Sequence, residues 1–432
     1  MRPSAGYSGG VPVAEQPLSD RVRSFRYRVF AATWLSYAGY YFCRQAYSVV
    51  KSTLSRELGF STTELAHVWT AFLIAYMVGQ FVAGALGRRV GPRILLLVGM
   101  AVSIGCNVVF GFSNGFYSFA GFMVLNGLAQ ATGWPGNVGA MAAWFQRAER
   151  GTVMGVWSTC YQLGSVAAKA FAAFMLGAWG WRYSFWGASL VLGAVWVLFL
   201  ILQRDKPEDV GLPEISDDSE SAEREPLPVA RASSSFLRLL SNRTVLAMGL
   251  AYFCFKFLRY AIDSWLPYFL DFVYHVKPDR AGYASTVFNL AGFGGSLFAG
   301  WMSDRVFGGR RAPVMVLMSV AMTGAYLLVF RFGSEGIPLL IGFYGLIGFM
   351  LYGPDTLLAG AGAIDVSSRR DAIAAAGIIN GLGSAGPIVQ EQVVARIYES
   401  SGGEIAPINL LMLGVSVLGT AMLGWLYWRG RI

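Results

Sequence analysis

Twelve apolar stretches of roughly 20 residues or more succeed one another along this 432-residue chain. Each is long enough to carry a helix across a hydrocarbon core of about 30 Å. Only 14% of the residues are charged and 55% are hydrophobic, where a soluble chain carries about a quarter charged. The chain therefore reads as a polytopic all-α membrane protein. The residues ahead of Arg21 are polar and rich in Gly and Pro, without a cleavable signal. Cys43, Cys106, Cys160 and Cys254 fall inside apolar runs without metal-ligand spacing, so they read as small core residues.

The first six spans are expected at 29–53, 65–86, 93–112, 116–144, 151–178 and 182–202, and the second six at 244–271, 281–303, 312–331, 337–364, 371–397 and 406–428. This divides the chain into a cytoplasmic tail (1–28), a six-helix bundle (29–202), a linker (203–243), a second bundle (244–428) and a short cytoplasmic tail (429–432). The linker has acid runs, prolines and serines and no apolar periodicity. Arg21, Arg23, Arg26, Arg28, Arg88, Arg89, Arg93, Arg147, Arg150, the linker, Arg305, Arg310, Arg311, Arg369, Arg370, Arg429 and Arg431 fall on one side. Lys51, Arg56, Arg182, Lys277, Arg280 and Arg331 are a sparser set on the other, so both termini are expected in the cytoplasm. The formal charge of +9 is spread through these short loops, which argues for topology over nucleic-acid binding.

The halves resemble each other. YYFCR (40–44) answers YFCFKFLR (252–259), FVAGALGRRVGPR (81–93) answers SLFAGWMSDRVFGGRR (296–311), GWPG (133–136) answers YGPD (352–355), and QRAERG (146–151) answers SSRRDA (367–372). Landmarks in matched order and spacing make an internal repeat, which predicts two pseudo-symmetric bundles with a cavity between them.

Arg44 lies in the middle of the first span, where a permanent cation costs about 2.5–3.5 kcal/mol to insert. Tyr37, Tyr41, Arg44 and Ser48 share one helical face, as do Lys256, Arg259 and Asp263 in the seventh span. The repeat puts Arg44 and Arg259 at corresponding depths, facing each other across the cavity. Two guanidiniums repel unless an anion sits between them, and a phosphate pairs with such forks bidentately. The structural alternatives are snorkelling or an ion pair for Arg44, and neutralisation of Arg259 by Asp263 one turn away. Lys256 either adds a third cation to the site or pairs with Asp355, which itself could orient a cation or carry a proton. Lys169 and Glu391 are read as interfacial, and His67 and His275 fall near the outer ends of their spans. No phosphate loop, metal-ligand cluster or nucleophile motif appears, so neither an enzyme nor a bound cofactor or metal is expected.

The loop GWMSDRVFGG (300–309) resembles the signature loop of the major facilitator superfamily; in its first copy Arg88 stands where the resemblance would put an acid. With YAGYYFCRQAYS (37–48), NGLAQATGWPGN (126–137), WFQRAERG (144–151), RDKPEDVGLP (204–213), FLRYAIDSWLP (257–267) and GFMLYGPD (348–355), the chain resembles the organophosphate:phosphate antiporters of that superfamily over nearly its whole length. The RDKPEDVGLP match is weighted heavily, because that stretch shows no packing reason to recur. The resemblance implies the major facilitator fold of twelve helices. It puts the paired substrate arginines at Arg44 and Arg259, cavity tyrosines at Tyr37, Tyr41, Tyr76 and Tyr352, and cavity tryptophans at Trp134 and Trp157. Gln80, Tyr161, Gln45, Asn289 and Lys256 depart from the pattern of glycerol-phosphate members, although Tyr161 lies in a span expected to line the cavity and is kept with Lys256 as a candidate substrate-binding residue; GIINGLGSAGP (377–387) is similar to sugar-phosphate exchangers.

The expected activity is exchange of a small organophosphate for inorganic phosphate by alternating access, by a monomer in a bacterial inner membrane, with no nucleic-acid partner. Two alternatives stand beside it: a proton-coupled symporter of a carboxylate or phosphonate using Asp263 or Asp355, and a membrane sensor of sugar phosphate.

Overall fold

The computed structural model describes residues 20–145, 153–154, 156–213, 215, 243–308, 310–359 and 372–430. Thirteen long helices are described: α1 (Asp20–Leu58), α2 (Thr62–Val90), α3 (Pro92–Phe112), α4 (Phe116–Gln130), α5 (Gly133–Trp144), α6 (Thr159–Trp179), α7 (Trp181–Leu202), α8 (Arg243–Phe272), α9 (Pro278–Arg305), α10 (Arg311–Phe332), α11 (Ile337–Ala359), α12 (Ala372–Ser400) and α13 (Ala406–Trp428). Because α4 and α5 are two parts of the fourth span, these make twelve membrane spans. Most of the linker, the loops at 146–151 and 367–371, and the side chains of Arg88 and Asp304 lie outside the described residues.

Backbone groups in lipid must be satisfied internally, so the apolar runs form helices joined by tight links. Ser61 and Glu64 close a capping box at the start of α2. Gly91, with φ of 83°, turns the chain from α2 straight into Pro92 at the start of α3. Six helices, namely α3, α7, α8, α10, α11 and α13, are continuously apolar enough to cross a bilayer on length and hydropathy alone. The other inward-facing helices carry interior polar groups, Arg44 and Lys51 on α1 and Lys169 on α6 among them.

The same pairing recurs in both sets of six spans. The first span packs on the fifth and the seventh on the eleventh; the second packs on the fourth and the eighth on the tenth; the third packs on the sixth and the ninth on the twelfth. Close approach at two of these contacts needs glycine. A Cβ on Gly127 of α4 would sit 2.5 Å from the Phe72 carbonyl oxygen of α2, and one on Gly292 of α9 would meet the Tyr352 ring of α11 at 2.3 Å. The four cysteines are buried and free.

The described start of the linker is packed, which corrects the expectation for RDKPEDVGLP. Asp205 Oδ1 accepts from the Arg93 backbone N–H at 2.7 Å, in the first turn of α3. Trp144 Nε1 donates to the Arg204 carbonyl at 2.9 Å, and Arg21 donates to the Val210 carbonyl at 3.0 Å. Leu212 is buried with Val22, Val29, Trp144 and Phe145. The stretch straps the ends of α1, α3 and α5 together, so its sequence has a packing reason after all.

Candidate functional site

Arg44 is buried on α1, and its Nε donates to Gln130 Oε1 at 3.0 Å. The guanidinium lies over three rings: Tyr76 at 4.8 Å, Tyr41 at 5.0 Å and Phe72 at 5.4 Å. A buried amide network holds Gln130 in place. Its Nε2 donates to Ser103 Oγ and Asn126 Oδ1, both at 3.2 Å, while Asn126 and Asn107 each donate to the Cys43 carbonyl at 3.3 Å. The partner of Arg44 is therefore a neutral amide, which orients the cation without cancelling its charge.

Arg259 on α8 has a different setting. One terminal nitrogen donates to Asp355 Oδ2 on α11 at 2.8 Å, and the guanidinium lies 4.7 Å from the Tyr352 ring, 5.6 Å from Tyr260 and 5.9 Å from Tyr161. Tyr41 and Tyr260 are each within electrostatic reach of both guanidiniums, so the two cations share one neighbourhood. Tyr37, Trp134 and Trp157 form an adjoining aromatic cluster, with Tyr37 centred 5.9 Å from Trp134 and 5.3 Å from Trp157. Trp134 is 42% exposed. Trp157 is fully buried and its indole N–H is committed to Thr33 Oγ1 at 3.2 Å, which gives it a packing position. Lys256 Nζ donates to Ser384 Oγ at 3.1 Å and lies 4.8 Å over the Tyr252 ring.

Three placements differ from the sequence reading. Asp263 turns away from Arg259 and accepts from Lys169 Nζ at 2.7 Å, Gln45 Nε2 at 2.8 Å and Asn289 Nδ2 at 2.9 Å. Three tertiary donors outcompete one intrahelical neighbour, so the carboxylate neutralising Arg259 is Asp355 instead. Lys169 and Glu391 are not interfacial: both are completely buried. Lys51, assigned above to an outer loop, is buried as well and pairs with Glu391, which also accepts from Trp265 Nε1 at 3.0 Å. An ion deep among helices survives only when a partner and hydrogen bonds replace its water, and these partners come from other helices.

The site has members that sequence reasoning missed. Gln130 carries a faint signal, one helical turn after Asn126 on the same face. Tyr260 carries none, since its position beside Arg259 places it on another face of an ideal helix. Among the described residues no group of His, Cys, Asp and Glu is arranged to hold a metal ion.

These links also join the two sets of spans. Besides Asp263 and the Lys51–Glu391 pair, Lys51 Nζ donates to Ser264 Oγ at 2.7 Å, Arg56 pairs with Asp271, and Gln392 Nε2 donates to Thr70 Oγ1 at 2.8 Å. Apart from Gln392–Thr70, which joins α12 to α2, they involve α1 from Gln45 onward or α8 from Asp263 onward, beyond the two arginines toward the ends where those helices finish.

A family model described as the Major Facilitator Superfamily matches residues 33–385 and again 248–431. The chain is 30% identical to the glycerol-3-phosphate transporter of Bacillus subtilis (strain 168), covering 92% of each chain. It is 27% identical to the probable hexose phosphate transport protein of Chlamydia pneumoniae, over 84% of this chain and 83% of the relative. It is 28% identical to the membrane sensor protein UhpC of Escherichia coli (strain K12), over 84% of this chain and 83% of that one. In fold it superposes on a bacterial homologue of the human lysosomal transporter Spinster with a TM-score of 0.72, at 15% identity, over 94% of this chain and 97% of that one. The chain belongs to the Major Facilitator Superfamily and, within it, to the organophosphate:phosphate antiporter group. It is a multi-pass membrane protein of transporter type, not an enzyme.

Proposed function

We propose that this protein is a secondary transporter that exchanges a small organophosphate, of the sugar-phosphate or glycerol-phosphate type, for inorganic phosphate by alternating access. The observation that carries the reading is the charge left over inside the membrane. Among the described residues, Arg44, Lys51, Lys169, Lys256 and Arg259 are interior cations, with the carboxylates Asp263, Asp355 and Glu391 among them. Lys51, Lys169 and Arg259 each pair with one of these carboxylates, while the Nε of Arg44 meets a neutral amide. The positive charge that Arg44 retains suits an anion such as a phosphate dianion or a phosphate monoester. Guanidinium forks suit its oxygens.

In this reading the phosphate group bridges Arg44 and Arg259, with Tyr37, Tyr41, Tyr76 and Tyr352 around it and Lys256, Tyr161 and Trp134 beside the organic part. A bound anion relieves the repulsion between cations carried by opposite bundles, and so lowers the cost of bringing those bundles together. The Asp263 hub and the Lys51–Glu391 pair form a seam on one side of the site, which must part when the site opens that way. The names of the relatives support a phosphate-ester substrate, and the arginine-rich side supports both termini in the cytoplasm of a bacterial inner membrane.

The test is counterflow in proteoliposomes. Uptake of labelled phosphate driven by internal phosphate, without a pH gradient, is the expected result; flux that requires a proton gradient overturns the antiport reading. The kinship with UhpC favours one second reading, a sensor that binds sugar phosphate. Tight binding of phosphate esters by purified protein with no flux establishes it.

A further inference from the structure

Asp355 differs from Asp263 and Glu391, and shares with Asp271, near the end of α8, a buried oxygen without a partner; of these two only Asp355 lies against Arg259. Asp263 accepts from Lys169, Gln45 and Asn289, and Glu391 from Lys51, Ser264 and Trp265. Asp355 makes a one-armed pair: Oδ2 accepts from Arg259 at 2.8 Å, while Oδ1 is buried and has no hydrogen-bond partner. The residue is only 4% exposed. Leaving a charged oxygen buried and unsatisfied is unfavourable, so this pair is held at a penalty. Asp355 directly follows Pro354 inside α11, where the missing N–H removes one rung of the helix ladder and leaves local slack. Tyr352, one turn earlier on the same helix, places its ring 4.7 Å from the same guanidinium and donates from its hydroxyl to Asn289 Oδ1 at 2.7 Å. Thus one side of Arg259 is held by a satisfied aromatic contact, and the other by an under-satisfied carboxylate. Lys256 lies one turn before Arg259 on the same face of α8, bonded to Ser384 Oγ, as a second cation on the side of that carboxylate.

We propose that Asp355 is an internal surrogate anion: it occupies Arg259 when no ligand is bound, and an incoming phosphate group displaces it toward Lys256. This rests on the phosphate-binding reading above and adds a specificity device to it. A ligand must offer Arg259 more than one carboxylate oxygen does. Tetrahedral phosphate oxygens can meet the guanidinium fork and Arg44 together, whereas a carboxylate spends both its oxygens on one fork. Return of Asp355 to Arg259 then speeds release of the ligand. Asp355 is a positioning residue, since it acts through Arg259.

The experiment compares the full-length wild type with Asp355→Asn in proteoliposomes, reading KM and maximal rate of inorganic phosphate self-exchange. The expected result is a split: KM for phosphate falls about tenfold, because the competitor is gone, and the maximal rate also falls, because release slows. Asp355→Glu, which keeps the carboxylate, should hold KM close to wild type. If Asp355→Asn does not fold, Asp355→Ser makes the same prediction with a smaller neutral side chain. A KM that is unchanged or raised in the neutral variants, alongside wild-type exchange, overturns the surrogate role and leaves the phosphate site standing. Absence of phosphate binding to the wild type overturns both.

Discussion

Lys51 of the first membrane span and Glu391 of the eleventh form an ion pair with no solvent exposure on either side chain. Lys51 Nζ also lies 4.0 Å over the Trp265 ring, and that indole donates to Glu391. The pair is thus enclosed by three helices from both sets of spans. Removing one partner of a buried pair costs about 3–5 kcal/mol, while replacing both by apolar groups is often neutral. Lys51→Met alone should therefore lower thermal stability in detergent sharply, and Lys51→Met combined with Glu391→Leu should recover most of the loss. Equal destabilisation by the single and double variants would show that the pair contributes nothing as a pair.

The two arginines should not tolerate lysine. An ammonium keeps the charge but cannot make a forked contact with phosphate oxygens. Arg44→Lys and Arg259→Lys are each expected to lose about 3 kcal/mol of binding, roughly a hundredfold in phosphate affinity. Phosphate self-exchange in proteoliposomes measures this. Retention of full exchange by either variant removes that arginine from the clamp.

Gln130 tests whether Arg44 must stay uncompensated. Gln130→Glu substitutes a carboxylate of the same size for an amide oxygen 3.0 Å from Arg44 Nε. The expected outcome is a folded protein whose phosphate affinity falls at least about tenfold, or 1.4 kcal/mol. Normal affinity would mean that the positive charge of Arg44 is not what holds the anion.

Lys256 should govern preference among ligands more than exchange itself. It lies on the same face of α8 as Arg259, one turn earlier, bonded to Ser384. Lys256→Gln is expected to change the ranking of phosphate esters in competition against labelled phosphate, with phosphate self-exchange weakened but not abolished. An unaltered ranking would assign Lys256 to structure alone.

The strap at the start of the linker makes a stability prediction. Asp205→Ala removes the acceptor for the Arg93 N–H in the first turn of α3, a loss of about 1 kcal/mol by analogy with helix caps. A small drop in melting temperature in detergent, with KM for phosphate unchanged, is the expected result. A changed KM would couple the strap to the transport site.

How much of this was legible beforehand varies residue by residue. Arg44 and Arg259 announced themselves because a charge inside an apolar run has few explanations. The tyrosines followed from helical spacing and family resemblance, and the twelve spans from run length. The fates of Lys51, Lys169 and Glu391 were not legible. Each lies on a polar face near a span end, and spacing along one helix does not reveal what a distant helix presents to it. The same limit explains why Asp263, adjacent to Arg259 on its helix, is held elsewhere, and why Asp355 is nearest to that arginine.

By itself, then, the sequence determined the class of fold, the number of spans and the presence of two interior arginines, because hydrophobicity and period are properties of a single helix. The tertiary structure decided which carboxylate meets which cation, that Arg44 faces an amide, and where the two sets of spans are sewn together. Ion pairing in a medium of low polarity is settled by whichever helices bring opposite charges and donors within about 3 Å, and that distance exists only once the helices have packed.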